Sequence, residues 1–538
     1  MSSESRRQGL DSATHQSTGL RQHSQQIAAP ALTILAHPDP RRVGEVALLP
    51  GLLSGRTERL SRSEPDFASP SGLGDPLPLA DVRMSRRGLS LSCRESGEVL
   101  LDARGSAMRV SVDGEPVSEF RELPATALDR GVLLLLARRV VLLLHRLGPI
   151  SRAKSEHGLV GESAEIWRVR RDVDHVAPFD FPVLLRGKSG TGKELVARAI
   201  HDSGPRQDQP YVIVNMGAIP PSLAAAELFG SAKGAFTGAD RSRRGYFQRA
   251  DSGTLFLDEI GATPVEVQAH LLRTLETGQI QPVGGQEPST VDVRVISATD
   301  TSLEAAIDKG AFRSPLLYRL SGYEIVMPPL SRRREDFGRL FFYFLRQELE
   351  ALGEGWRLDP AEPGQRSWIP AELIDRLAAF PWPGNVRQLR NVVRQLAVSN
   401  QGTDELQAPP QIDRFLRADS RSESRSESRS DEPSRPRARS SYRHPDDIGE
   451  TELVEALRRE RWNLTRAASR LNVSRTSLYA LLERSPHIRK ASDLSRAEIE
   501  ACSRRCGGDL DAMVERLEVS KRGLRLRMTD LGLAASSG

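Results

Sequence analysis

Cysteine is nearly absent: Cys93, Cys502 and Cys506 are the only three in 538 residues. Three thiols cannot build a disulfide framework, and no CxxC pair occurs. A stapled secreted fold and a structural zinc site are therefore excluded. A large excess of one charge is also missing. Lys and Arg total 76 against 71 Asp and Glu, a formal net charge of +5, so any nucleic-acid surface is a local patch. Long apolar runs are lacking too. The strongest, Val132 to Leu144, is split by Arg138 and Arg139 and is too short to span a bilayer. The opening MSSESRRQGL has no signal-peptide core. These absences point to a soluble, cytoplasmic chain with no membrane partner. Apolar residues at 38 % with 43 Gly are ordinary for globular proteins and exclude wholesale disorder. The length accommodates roughly three or four domains of about 150 residues.

The texture changes along the chain. Residues 1–28 are Ser, Gln and Arg with few apolar positions, and are expected to be disordered. Residues 29–148 alternate short β-like runs with turn signals, including the hairpin pair Asp113-Gly114, and read as an all-β sandwich. From 157 to 330, strand-like runs (Val183–Leu185, Val212–Val214, Thr254–Leu257, Val291–Ser297) alternate with helical patterns, the signature of an α/β domain with a largely parallel sheet. Residues 331–416 look helical and suit a lid. Residues 417–446 contain RSESRSESRS and PSRPRARSS, a solvated linker. Two units follow, 447–488 and 491–535. They repeat at an offset of 46: Leu471-Asn-Val-Ser-Arg475 matches Leu517-Glu-Val-Ser-Lys521. The fold expected is multidomain: β sandwich, α/β P-loop ATPase with helical lid, and a duplicated all-α end.

Gly187, Ser189, Gly190, Thr191, Gly192 and Lys193 form a G-x4-G-K loop between a strand and a helix. Glycines there turn backbone N–H groups inward to cradle phosphates at a helix N-terminus, and Lys193 reaches the β and γ phosphates. Glu194 stands where a Ser or Thr ligand for Mg²⁺ is usual. Thr254–Glu259 is a buried strand ending in two acids. It places Asp258 beside the metal and Glu259 near the attacking water. The cofactors expected are ATP and Mg²⁺.

The Gly187–Glu194 segment resembles the loop of the bacterial enhancer-binding proteins, AAA+ ATPases that activate RNA polymerase carrying sigma-54. That family also has Glu at the Glu194 position. Gly234, Ala235, Phe236, Thr237, Gly238 and Ala239 reproduce its GAFTGA signature, and the resemblance covers about Leu159 to Leu396. It implies that Phe236 and Thr237 tip a loop gripping the sigma factor. Asn215 would sense the γ phosphate and restrain Glu259, and Thr299 would be the first sensor, next to Asp300 where Asn is usual. Arg313 and Arg319 would be fingers acting on a neighbouring subunit's nucleotide, with Pro315 departing from the pattern. Arg387, in Trp382-Pro-Gly-Asn-Val-Arg387, would be the second sensor. The resemblance further implies a hexameric ring.

After the linker, three helices with a short joint at Leu471-Asn472-Val473 fit a helix-turn-helix. They resemble the Fis-like domain ending many members of that family. Arg475, Thr476 and Tyr479 would face the major groove of upstream enhancer DNA. The second unit is basic at Lys521, Arg522, Arg525 and Arg527. Phosphate contacts and plain packing are both open for it. Cys502 and Cys506 read as ordinary thiols.

At the other end no receiver-like constellation of acids is found. Gly55-Arg56, Ser85-Arg86 and Asp113-Gly114 resemble landmarks of a forkhead-associated (FHA) domain, a phosphothreonine-binding sandwich. Arg56, Ser85 and Arg86 would then hold the phosphate, and a Ser/Thr kinase or phosphoprotein would be a partner. Gly88 stands where His is usual. A sandwich that only packs or dimerises, and another β fold, are the alternatives. The functional reading is an ATP-driven transcription activator tied to phosphorylation signalling. A non-activating repressor of the same architecture and a generic AAA+ remodeller compete with it. The intact GAFTGA argues against the first and the helix-turn-helix units against the second.

Overall fold

A computed structural model describes residues 28–148, 153–416 and 448–533, apart from 71, 73, 95, 235–240, 361–365, 463, 472, 474–477, 479–480, 483–484, 486–487, 490–492, 508 and 532. The chain divides into two compact units, residues 1–426 and 427–538. Among the described residues no helix is long and apolar enough to cross a membrane.

The first unit opens with two antiparallel sheets. One has six strands in the order 46–48, 29–36, 140–147, 132–136, 110–112, 115–117. The other has four, in the order 58–60, 89–93, 99–102, 120–123. Asp113 and Gly114 join two strands as expected, at φ 46° and 82°, the left-handed pair that a two-residue hairpin needs. Glu58–Leu60, Glu115–Val117 and Phe120–Leu123 are strands that the sequence reading passed over. They are short and partly exposed, so their alternation is weak.

Leu32, Ile34, Leu134, Leu136, Leu142 and Leu144 point between the sheets. Their neighbours Leu35, Leu133, Leu135, Val141 and Leu143 point the other way, into a core shared with the lid helices. A sheet covered on both faces loses the polar alternation of a half-exposed one. That explains the run VLLLL followed by VVLLL. The sandwich is therefore not the free-standing module that its boundaries at 29–148 implied. Six buried Leu and Val side chains (Leu35, Val43, Leu133, Leu135, Val141, Leu143) enter the shared core. Their burial is worth on the order of 10 kcal/mol of gross transfer free energy. Arg334 adds hydrogen bonds to the carbonyls of Arg130 (3.0 Å) and Gly131 (2.8 Å).

The α/β body has a five-stranded parallel sheet in the order Tyr211–Asn215, Thr254–Asp258, Arg294–Thr299, Val183–Arg186, Tyr323–Val326. The last of these was not foreseen. Helices Ala164–Val176, Lys193–Asp202 and Val265–Thr277 cover it. Helices Phe337–Ala351, Ala371–Ala379 and Asn385–Ser399 form the lid. Asp336 ties lid to body: it accepts from the N–H of Glu162 (2.6 Å) and Ser163 (2.9 Å) and from the Ser163 hydroxyl (2.6 Å).

The second unit contains Glu450–Arg459, Leu464–Leu471, Arg496–Arg505, Leu510–Leu517 and Lys521–Asp530. The third and fourth helices begin and end 46 residues after the first and second. Leu453, Leu457 and Leu478 share one core with Ile499, Met513 and Leu524.

Candidate functional site

The carboxyl ends of the parallel strands converge on one edge, where open α/β sheets bind ligands. Strand 183–186 runs into the glycine loop. Gly187, Gly190 and Gly192 lie at φ 157°, 77° and 102°, and Gly190 and Gly192 need the left-handed freedom that glycine provides. A Cβ at 190 would sit 2.4 Å from the Gly384 carbonyl of the lid. Thr191 turns its hydroxyl to the Lys188 carbonyl (2.8 Å). Glu194 is exposed in the first turn of the following helix.

Lys193 Nζ donates to the Gly187 carbonyl (2.7 Å). Burial lowers its pKa, while the carboxylates of Asp300, Asp258 and Glu259 pull it back up. The ammonium thus sits among acids and binds the loop's own carbonyl oxygens, those of Gly187 and Lys188. Asn215 Nδ2 donates to Asp258 Oδ2 (3.4 Å), and its Oδ1 accepts from the Ala218 N–H. The Asn215 amide thus bonds the first of the two acids, and its Oδ1 lies beside Gly217 together with Glu259 Oε2. Glu259 lies over Gly217, where a Cβ would meet Glu259 Oε2 at 2.1 Å. Its backbone is left-handed at φ 54°, a strain that persists only when the surroundings enforce it. Thr299 is buried, and its hydroxyl engages Thr301.

The lid closes directly on the loop. Arg387 Nη1 donates to Ser189 Oγ (3.2 Å), and its N–H donates to the Gly190 carbonyl (3.2 Å). Asn385, which the sequence reading missed as a site residue, bonds the Ser189 carbonyl (2.9 Å) and accepts from the Leu330 N–H (3.0 Å). It is buried and left-handed at φ 51°. The contact joins residues 196 apart, so the sequence carries no local signal for it. On the lid side of Ser189 opens a cleft of about 490 Å³ lined by lid residues such as Arg387, Gln388 and Phe415; Lys193, Asp258 and Glu259 do not line it. Among the described residues no group of three metal-ligating side chains exists. Mg²⁺ here would be held by one carboxylate, Asp258, together with substrate phosphates and water, as that ion prefers.

Arg313 is the N-cap of helix Ser314–Leu320 and Arg319 lies in its last turn; both side chains are exposed, while Leu316, Leu317 and Leu320 are buried. Arg313 N–H bonds Gln268 Oε1 (2.8 Å), and the Arg319 guanidinium bonds the Leu275 carbonyl (2.7 and 3.0 Å). Among the described residues neither touches the glycine loop of its own chain. Pro315 falls in the helix's first turn, where a missing N–H costs nothing. Ala235, Phe236, Thr237, Gly238 and Ala239 lie outside the described residues. Gly234 precedes them at φ 81°. Ser231 and Arg243, on either side of them in sequence, pair backbone to backbone (3.0 and 2.9 Å).

In the sandwich, Arg56 precedes strand Glu58–Leu60, while Ser85 lies beyond its far end: the Arg62 N–H bonds the Ser85 carbonyl (3.1 Å). The structure therefore separates Arg56 from Ser85, contrary to expectation, and Arg62 is the arginine that shares a rim with Ser85 and Arg86. This pairing is tertiary and has no local sequence signal. Ser85 Oγ accepts from the N–H of Arg87 (3.2 Å) and Gly88 (3.3 Å), leaving its own proton free to donate. A Cβ at Gly88 would meet the Leu60 carbonyl at 2.1 Å, which accounts for glycine there.

In the second unit Arg475, Thr476 and Tyr479 lie outside the described residues. Lys521, Arg522 and Arg525 fall on helix Lys521–Asp530, and Arg525 is exposed. Cys502 and Cys506 are free thiols with sulfurs 3.9 Å apart.

Three families match the chain: Sigma-54 interaction domain over residues 159–326, AAA+ ATPase lid domain over 331–428, and Bacterial regulatory protein, Fis family, over 450–484. Among similar proteins are the regulatory protein LuxO of Vibrio cholerae, 42 % identical over 49 % of this chain and 48 % of that one, and the DNA-binding transcriptional regulator NtrC of Escherichia coli K12, 44 % identical over 46 % and 51 %. The transcriptional regulatory protein ZraR of Klebsiella oxytoca is 39 % identical over 61 % of this chain and 69 % of its own. The matched stretch thus spans about half the length of LuxO and NtrC. A crystal structure of NtrX from Brucella abortus in complex with ATP is 32 % identical over 61 % and 70 %, with a TM-score of 0.42.

Proposed function

The chain belongs to the bacterial transcriptional regulators built on a sigma-54 interaction domain, and we propose that it binds upstream DNA, hydrolyses ATP as a hexameric ring and remodels the sigma-54 RNA polymerase closed complex. The observation that carries this reading is the contact of Arg387 and Asn385 with the glycine loop. It makes lid position a function of what the loop holds.

Hydrolysis requires positioning and charge stabilisation more than covalent chemistry. Lys193 neutralises the β and γ phosphates. Asp258 would hold Mg²⁺, which would supply neutralisation of phosphate charge. Glu259 orients the water, with Asn215 fixing the adjacent carboxylate. Arg313 and Arg319 face outward and serve the site of a neighbouring subunit, which requires a closed ring. Gly234–Ala239 delivers the resulting motion to the sigma factor. The Fis-type unit selects the DNA, and the second helical unit, read as its duplicate, adds phosphate contacts. The sandwich acts as an FHA-like reader of phosphothreonine through Arg62, Ser85 and Arg86. It couples the motor to Ser/Thr kinase signalling in the cytoplasm.

In-vitro transcription with core polymerase, sigma-54, promoter DNA and ATP tests the reading. Open complexes are expected to form only with hydrolysable nucleotide. Thr237→Ala should abolish them while ATP turnover persists. Activation by that variant at the native level would remove the loop from the mechanism.

A further inference from the structure

Four consecutive carbonyls of the glycine loop are each held by a donor. Lys193 Nζ donates to that of Gly187 (2.7 Å), and the Thr191 hydroxyl to that of Lys188 (2.8 Å). Both donors belong to the loop and its own helix. The next two carbonyls are held from the lid. Asn385 Nδ2 donates to that of Ser189 (2.9 Å), and the Arg387 N–H to that of Gly190 (3.2 Å). In a trans peptide the carbonyl and the N–H that follows it point in opposite directions. Holding these oxygens therefore aims the N–H groups of Lys188, Ser189, Gly190 and Thr191. Among the described residues those four N–H groups have no hydrogen-bond partner. Successive unpaired N–H groups are what an anion-binding nest presents.

Asn385 makes its contact through a side chain whose polar capacity is fully committed. Besides Ser189, its amide nitrogen faces the Pro383 carbonyl (3.4 Å), and its Oδ1 accepts from the Leu330 N–H (3.0 Å). Turned over, the amide would set oxygen against the Ser189 carbonyl and N–H against N–H, so one orientation alone is satisfied. The residue is 1 % exposed, and a buried donor has no water to turn to. Leu330 opens the segment that follows strand Tyr323–Val326 and leads into the lid. One side chain thus joins the glycine loop, that connection and the start of helix Asn385–Ser399. Its φ of 51° is a left-handed value that Asn tolerates.

We propose that Asn385 is a positioning residue for nucleotide phosphate, resting on the reading of the glycine loop as the ATP site. It acts without touching the nucleotide, by holding the peptide that carries the Gly190 N–H. The lid then supplies half of the cradle, the peptides 189–190 and 190–191, and the body supplies the other half. A lid that lifts away releases two of the four N–H groups. By linkage, phosphate in the cradle and the docked lid favour each other by the same factor. Because the cradle grips phosphate before and during hydrolysis alike, its loss falls on KM rather than kcat.

Calorimetry with ADP and steady-state phosphate release, on the full chain, test this with two variants. Asn385→Gly keeps the left-handed backbone and removes the amide. Asn385→Asp keeps the shape and the acceptor for Leu330 but sets a carboxylate oxygen against the Ser189 carbonyl. Both should raise the Kd for ADP and the KM for ATP about tenfold or more, the Asp variant further than the Gly one, with kcat nearly unchanged. Hydrogen exchange on the native chain needs no variant. ADP should slow exchange in the loop at 188–191 and in the lid turn at 384–387 together. Unchanged Kd and KM in both variants overturn the proposal. So does a fall in kcat with KM unaltered, or protection of the loop without the lid turn. Lys193→Ala keeps the two readings apart: ADP binding lost there confirms the loop as the site, and native-level binding there would overturn that assignment and the role of Asn385 with it.

Discussion

Gly338 and Leu35 meet backbone to backbone: a Cβ on Gly338 would sit 2.6 Å from the Leu35 carbonyl oxygen. Gly338 is the second residue of lid helix Phe337–Ala351, and Leu35 belongs to the first strand of the sandwich. Glycine within a helix costs up to about 1 kcal/mol relative to alanine. Its presence is explained by the approach it permits.

Gly338→Ala should therefore lower the stability of the full chain, by about 1–2 kcal/mol. Overpacking costs about 1–3 kcal/mol, and the gain in helix propensity offsets part of it. Denaturant unfolding measures the difference. A more stable variant would mean that the sandwich does not press on this helix.

The nucleotide site makes a sharper demand. Glu259→Gln should reduce ATP turnover about a hundredfold or more, the scale of losing a water-activating base, while nucleotide binding survives. Lys193→Ala should abolish both. Phosphate release and equilibrium binding read the two steps separately. Native-level turnover in either variant would remove that residue from the site.

Much of this site was legible because its signals are local. The glycine loop, the strand ending in Asp258-Glu259 and the WPGNVR segment each declare themselves within a few residues. What stayed hidden depends on contacts far apart in sequence. Arg62 becomes the partner of Ser85 only once strands 58–60 and 89–93 pair. Asn385 matters because the lid folds back 196 residues onto Ser189. The strand Tyr323–Val326 has only four residues, and half-buried and exposed positions surround Ile325, so no pattern marks it. The double-sided sheet was half legible. Its unbroken leucines showed strands without polar alternation, and the lid that covers them came only with the structure.

The sandwich rim gives a test that discriminates between two arginines. In the full chain, Arg62→Ala should weaken binding of a phosphothreonine peptide at least about tenfold, since a charge-assisted contact is lost. Arg56→Ala should leave it unchanged. The full chain is required because an isolated sandwich would expose Leu35, Leu133, Leu135, Val141 and Leu143 to water. Fluorescence anisotropy with phosphorylated and plain peptides reads the outcome. No preference for the phosphorylated peptide would leave a sandwich that only packs. A loss with Arg56→Ala alone would restore the original pairing.

The last prediction concerns a carboxylate inside the seam between sandwich and lid. Asp375 lies on helix Ala371–Ala379, is only 6 % exposed, and its Oδ1 has no hydrogen-bond partner among the described residues. Burial raises its pKa from 3.8 to about 6, and the charges of Asp113 and Glu372 push in the same direction. The sign follows from linkage. Between about pH 4 and 6 the folded chain binds a proton that the unfolded chain has released, so stability falls as pH rises through that window. Above it the folded state carries a buried, poorly solvated anion, at a cost on the order of 2–3 kcal/mol. Asp375→Asn should therefore stabilise the chain at pH 7.5 and have little effect near pH 4, flattening the pH profile between. Denaturant unfolding at both pH values measures this. Equal effects at pH 4 and 7.5 would show that packing, not ionisation, governs the position. A variant less stable at pH 7.5 would mean that the charged form has a partner holding it in the seam.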